Sequence, residues 1–170
     1  VGPEFTDGRL NPFGIRKTRE APNMLIDRDY IAQELYGGLA LPKYNMLNNA
    51  YVDYSRVVET ARALEFKYAY NFEQAQDVIV EEMMNAGASL VNGKWHYNGE
   101  PIEVLILARS EDQRRLVGDY FAEQLERVGF TTTVDYRSGA EASPIWMMGD
   151  PWKGEWHVYT GGWGAGAVYR

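Results

Sequence analysis

"IEVLILARSEDQRRLVGDYFAEQLERVGFTTTVDY", from Ile102 to Tyr136, decides how this chain folds. Ile102 to Ala108 reads as a strand. Its centre, Val104 to Leu107, is apolar without a break, as in a strand covered on both faces. Ser110 and Gln113 stand at capping-box spacing, and Glu111 and Asp112 fall in the first turn, where the positive end of a helix favours acid. Val117, Phe121, Leu125 and Val128 then recur along one helical face. Gly129 closes the helix, and Thr131 to Tyr136 reads as a second strand. Strand, helix and strand within about 35 residues make a βαβ unit, so the two strands are predicted parallel with a right-handed crossover.

Working outward, residues 138–150, "SGAEASPIWMMGD", read as a short helix, and Trp156 to Thr160 as the next strand of the same sheet. That strand runs into "GGWGAG", a glycine-rich loop around Trp163. On the other side, "VNGKWHYNGEPIEV" carries two Asn-Gly pairs, Asn92-Gly93 and Asn98-Gly99, which favour tight hairpin turns. Lys94 to Tyr97 is therefore one strand and Ile102 to Ala108 the next. "NFEQAQDVIVEEMMNAGA" is a helix capped by Asn71, with Gln74 at its third position and Gly87 at its end. Ala75, Val78, Ile79, Met83 and Ala86 form its buried stripe.

A less regular stretch becomes helical from Ser55 to Leu64. Nearer the start, Ile15 to Ile26 reads as a helix kinked or limited by Pro22. A second helix, Arg28 to Tyr36, is capped by Asp27 and stopped by Gly37 and Gly38. Residues 1–14 are an extended lead-in. The expected class is α/β, with a mixed sheet, a βαβ unit and flanking helices.

The 170 residues carry a net charge of −7 and no cysteine. That balance disfavours nucleic acid as a partner, and it removes disulfides, thiolate metal sites and cysteine nucleophiles together. No apolar run approaches the roughly 20 residues of a membrane helix. The opening "VGPEFTDGRLNPFG" has no signal-peptide pattern, so the targeting segment of an exported protein is expected outside this chain. Four of the 5 tryptophans fall between Trp146 and Trp163. Rings at that density suit stacking on ligands as well as packing.

Catalytic candidates are sparse. His96 and His157 each stand alone on a strand, without a partner at metal-ligand spacing. Asp119 with Glu123, and Glu81 with Glu82, are carboxylate pairs, yet solvated helix faces explain them at less expense than an acid–base site. Arg16, Lys17 and Arg19 are interrupted by Glu20 and read as a helix face. Gly164-Ala165-Gly166 lacks the third glycine and following helix of a dinucleotide fingerprint. No catalytic residue, cofactor or metal site is expected.

The order of these pieces resembles the solute-binding proteins of ABC transporters in family 5, the peptide, nickel and oligosaccharide group. "NPFGIRKTREAPNMLIDRDYIAQELYGGLALP" is similar to the family segment leading through "IDR" to "YGG" and a proline. "YAYNFEQAQDVIVEEMMNAGA" is similar to its capped helix ending in Ala-Gly, and "NGKWHYNGEPIEVLIL" with "QLERVGF" to its strand and crossover. "GEWHVYTGGWGAG" resembles the stretch that delivers a tryptophan to the ligand cleft. The resemblance implies a lobe of a type II periplasmic-binding-protein fold, with residues 1–170 as a fragment of a larger two-lobed protein.

It also implies a periplasmic or extracellular location, a small-molecule solute (oligosaccharide or peptide), and permease subunits as partners. Any membrane anchor would lie outside this chain. The implied ligand-binding residues are Gly162, Trp163, Gly164, Ala165 and Gly166. Peptide binders of the group carry an acid three positions after the tryptophan, where Gly166 stands here. Two readings from other classes remain open: a secreted carbohydrate-active enzyme or its accessory module, and an interaction domain without a small ligand.

Overall fold

The computed structural model describes residues 2–164 of the chain. The helix expected from Ile15 to Ile26 divides into α1 (Arg16–Glu20) and α2 (Pro22–Leu25). Pro22 has no N–H to donate to the preceding turn, so it stands at the first position of a new helix, where that donor is not missed. Asp27 caps the next segment as expected, its carboxylate accepting from the Asp29 and Tyr30 N–H groups at 3.1 Å each. This α3 (Arg28–Tyr30) widens into a π-turn over Ile31–Leu35, and Gly37 and Gly38 end it at positive φ. The helix expected from Ser55 begins later. A 3-10 segment, Val52–Val57, precedes α4 (Val58–Lys67).

The pattern of α5 (Phe72–Asn85) is realised in detail. Asn71 Oδ1 accepts from the Gln74 N–H at 3.1 Å, and Ala75, Ile79 and Met83 are fully buried. Then β1 (Ser89–Val91), β2 (Lys94–Tyr97) and β3 (Glu100–Pro101) form a small antiparallel sheet. Both Asn-Gly turns take positive φ at both residues, 50° and 78° in the first, 50° and 83° in the second. The second turn does not fold β2 back onto the strand after Ile102. It pairs β2 with Glu100 and Pro101, and the Ile102 N–H still donates to the Trp95 carbonyl at 2.8 Å; there the ladder ends, because the Trp95 N–H is taken by the Gly129 carbonyl at 2.8 Å.

The second sheet is parallel throughout. Its central strand β4 (Glu103–Arg109) pairs with β5 (Thr131–Arg137) in register from Glu103 opposite Thr131 to Arg109 opposite Arg137. On its other side β4 pairs with β6 (Val158–Tyr159). The helix α6 (Arg114–Arg127) crosses from β4 to β5, so the expected βαβ unit and its third strand are both present. The fold is α/β, with the antiparallel and parallel pairings in two separate sheets.

The capping box expected at Ser110 and Gln113 does not form. Gln113 precedes α6 without a side-chain cap, because Glu111 bonds to Arg109 and Asp112 to Arg114. A capping box does occur at Ser138 and Glu141, opening α7 (Gly139–Trp146).

The core follows from β4. Val104, Ile106 and Ala108 are fully buried, and Phe121, Leu125 and Phe130 close over the same face of the sheet. Leu107, on the alternate face, is buried as well, and α7 with its buried Ala142 packs against β4 and β5. Trp95 joins the two sheets, its buried indole N–H donating to the Val128 carbonyl at 2.9 Å. Residues 2–14 turn back through a bridge between Glu4 and Leu10, and bury Phe5 and Leu10.

Gly118 sets the distance between α6 and β4. A Cβ there would stand 2.8 Å from the Ala108 Cβ. Gly118→Ala gains about 1 kcal/mol of helix propensity and overpacks the contact by about 1–3 kcal/mol. We expect a net loss of stability in urea denaturation. In a double-variant cycle, Ala108→Gly should make the pair less destabilised than the sum of the single changes.

Candidate functional site

The three parallel strands end together, and β5 and β6 leave β4 on opposite sides. An open parallel sheet forms its ligand crevice at such a point, outside the carboxyl ends of its strands. Here the Arg109 N–H donates to Thr160 Oγ1 at 2.9 Å, and the Thr160 N–H to the Leu107 carbonyl at 3.1 Å. The Ser110 N–H donates to the Arg137 carbonyl at 2.9 Å. These bonds fix the segment leading to Trp163 against the β4–α6 loop.

Charged side chains tighten the same frame. The Arg109 guanidinium donates to Glu111, and the neighbouring Tyr159 hydroxyl first, with Glu111, holds its pKa above the ordinary value. The Glu111 carboxylate also accepts from the Gly139 N–H at 3.0 and 3.2 Å. That contact first, and Arg109 second, push the Glu111 pKa down. The Arg109 guanidinium lies close over Gly139, where a Cβ would come within 2.6 Å of it and push that arginine aside. Arg114 clasps Asp112 at 2.6 and 2.9 Å, and with its backbone N–H pushes that carboxyl down to about 2. The same guanidinium lies beside Gly162, 3.2 Å from where a Cβ would stand.

Against this frame three rings meet. Trp146, at the end of α7, stacks on Tyr159 with centroids 4.8 Å apart and an interplanar angle of 20°. Trp163 stands nearly perpendicular to Trp146, at 6.4 Å and 83°. The Trp163 ring folds back over Gly161, where a Cβ would come within 2.7 Å of it. It is nevertheless 73% exposed. The Trp146 indole N–H is shielded from solvent and has no hydrogen-bond partner among the described residues.

Of the residues singled out by sequence, Gly162, Trp163 and Gly164 lie exposed at this end of the sheet, while Ala165 and Gly166 fall outside the described residues. Sequence reading missed Arg109, Glu111, Arg114, Tyr159 and Trp146 as members of the site. The crowding of tryptophans between Trp146 and Trp163 was the one signal pointing there. Three of the four carboxylate candidates are engaged elsewhere. Asp119 accepts from the Tyr136 hydroxyl, and Glu81 and Glu82 face Lys17 at 3.9 and 3.2 Å. No cluster of metal-ligating side chains occurs among the described residues.

Two cavities open at the opposite, amino end of the parallel strands, with volumes of about 620 and 430 Å³. Both are bordered by His157. Its Nδ1 accepts from the Leu105 N–H at 2.9 Å, so the neutral ring carries its proton on Nε2, which is buried without a partner. Phe5 packs edge-on against the ring at 5.2 Å. Burial, then the nearby Arg9, pushes the His157 pKa down to about 4. These two cavities are at this end, while the exposed aromatic surface and the strand carboxyl ends are at the other. We place the candidate site at the latter, because His157 here serves as a backbone acceptor that ties Leu105 to the segment before β6.

The sequence profile of the bacterial extracellular solute-binding proteins, family 5, middle region, matches residues 6–168, and the chain belongs to this family. A comparison with curated proteins finds no match. Among solved structures, the chain is similar to the oligopeptide-binding protein AppA of Bacillus subtilis in complex with a nonapeptide. The two are 19% identical over 76% of this chain and 24% of that one, with a TM-score of 0.61. A periplasmic oligopeptide-binding protein of Thermotoga maritima with mannohexaose bound is 20% identical, over 78% of this chain and 24% of that one, TM-score 0.60. NikZ of Campylobacter jejuni in complex with Ni(L-His) is 20% identical, over 75% and 24%, TM-score 0.56. The likeness is one of fold, and the chain spans about a quarter of the length of these structures.

His157 makes stability depend on pH. Its folded pKa of about 4 lies below the unfolded value of 6.5, so the unfolded chain takes up the proton first. The stability contributed by the neutral ring is complete above pH 6.5 and is lost as pH falls toward 4, by at most roughly 3 kcal/mol. Urea denaturation between pH 4 and 7 should show this slope, and His157→Gln should flatten it. An unchanged slope in the variant would place the titrating group elsewhere.

Proposed function

We propose that residues 1–170 are one lobe of a two-lobed, extracytoplasmic solute-binding component of an ABC importer, and that its preferred solute is a neutral oligosaccharide. The observation that carries this is Trp163, an indole 73% exposed three residues beyond Thr160, whose bonds to Arg109 and Leu107 fix the end of β6. A ring left in water on a fixed support is a surface for stacking. The apolar faces of sugar rings fit such a wall, and the loop glycines let hydroxyls approach the backbone closely.

Charge narrows the solute class. A buried ammonium without a counter-charge is costly. The stretch Gly161 to Tyr169 contains no Asp or Glu, and glycine stands three positions after Trp163. The carboxylates of the adjoining loop, Glu111 and Asp112, are each occupied by an arginine. The loop therefore offers a peptide's amino terminus no free acid. Peptide is the second solute class, since one structure of similar fold holds a nonapeptide where another holds mannohexaose.

In this reading no bond of the solute changes. The solute lies against Trp163, a second lobe closes over it and buries it from both sides, and the closed form is what the permease receives. A competition series on the full-length protein tests the solute class, with mannohexaose and other neutral oligosaccharides against free and N-acetylated peptides. We expect oligosaccharides to compete and acetylation to be without effect. Selective binding of free-amine peptides, abolished by acetylation, would show that the charge partner lies elsewhere.

A further inference from the structure

We propose that Glu111 is a positioning residue: by holding Arg109 and the first N–H of α7 together, it fixes the mutual geometry of Trp146, Tyr159 and Trp163. The inference rests on the reading of this aromatic group as the solute wall, but its geometry stands on contacts alone. Glu111 reaches two elements at once. It accepts from Arg109 at the end of β4 and from Gly139 at the start of α7. The Arg109 N–H in turn donates to Thr160 Oγ1 at 2.9 Å, at the residue that follows Tyr159 of β6. The far end of α7 returns to the same strand, where Trp146 stacks on Tyr159. A closed circuit therefore runs from Glu111 through α7 to Trp146, across to Tyr159, and back through Arg109.

The helix in this circuit has eight residues and contains Pro144, so its own hydrogen bonding is thin. Its amino end is closed by the Ser138–Glu141 capping box and tied to β4 by Glu111, and its far end rests on Tyr159. Releasing Glu111 lets the start of α7 shift against β4 and carry Trp146 with it, and Trp163 rests edge-on against Trp146. Glu111 is 46% exposed and its ion pair is of the surface kind, which contributes little to global stability. Its role is thus expected in ring geometry rather than in melting temperature.

Two indoles 6.4 Å apart and nearly perpendicular couple electronically. The coupling gives a two-signed band in far-ultraviolet circular dichroism, defined as the part of the spectrum lost in both Trp146→Phe and Trp163→Phe. In the full-length protein without solute, Glu111→Gln and Glu111→Ala should lose most of this band while the melting temperature moves by no more than about 4 °C. Glu111→Asp keeps the charge and should retain more of it than either. A band of parental size in Glu111→Gln would overturn the proposal, as would its absence from the parent. Because no solute is present, this outcome is independent of what Trp163 binds.

Discussion

Burial of β4 on both faces is the constraint on which the rest depends. A strand that is apolar on both faces needs a layer on each side and a neighbour on each edge. The uninterrupted Val104 to Leu107 run therefore demands α6 above, α7 below, and β5 and β6 beside it. The close approach at Gly118 and the indole of Trp95 then fix how near those layers come. Parallel pairing has a further consequence. It sends all three carboxyl ends to one edge of the sheet, so the loops after β4, β5 and β6 must meet there.

That meeting is where structure becomes function. The β4–α6 loop supplies Arg109, Glu111, Asp112 and Arg114, and every one of these charges is turned toward a neighbouring loop or paired within its own. The result is a locally neutral and well-tethered edge from which one large apolar ring, Trp163, projects. Preorganisation of this kind lowers the entropy lost when a solute is bound. The charge neutrality follows from the same contacts that give rigidity, so in the proposed reading solute class and loop geometry depend on the same side chains.

Features set by neighbours in the chain were legible in the sequence. Asn71 and Gln74 cap α5 from three residues apart, the two Asn-Gly pairs dictate their own turns, and the βαβ unit follows from periodicity and glycine at Gly129. What failed was decided partly by near neighbours and partly at long range. Asp112 accepts from the Arg114 backbone and guanidinium, so α6 begins at Arg114, while Glu111 is drawn to Arg109 and, across the fold, to Gly139. The turn before Ile102 is an ideal hairpin turn, but the ladder it opens stops at Trp95, whose N–H goes to the Gly129 carbonyl instead. Trp163 was found through its glycines. Trp146 and Tyr159 were not, because only the fold of α7 over the sheet brings their rings together.

The most direct measurement is solute affinity and ligand-free melting temperature for Trp163→Ala in the full-length protein. Trp163 as an exposed stacking wall predicts an affinity loss of roughly 1–3 kcal/mol with the melting temperature nearly unchanged. A large drop in melting temperature with affinity preserved would contradict it, and would make Trp163 a packing residue of the fold.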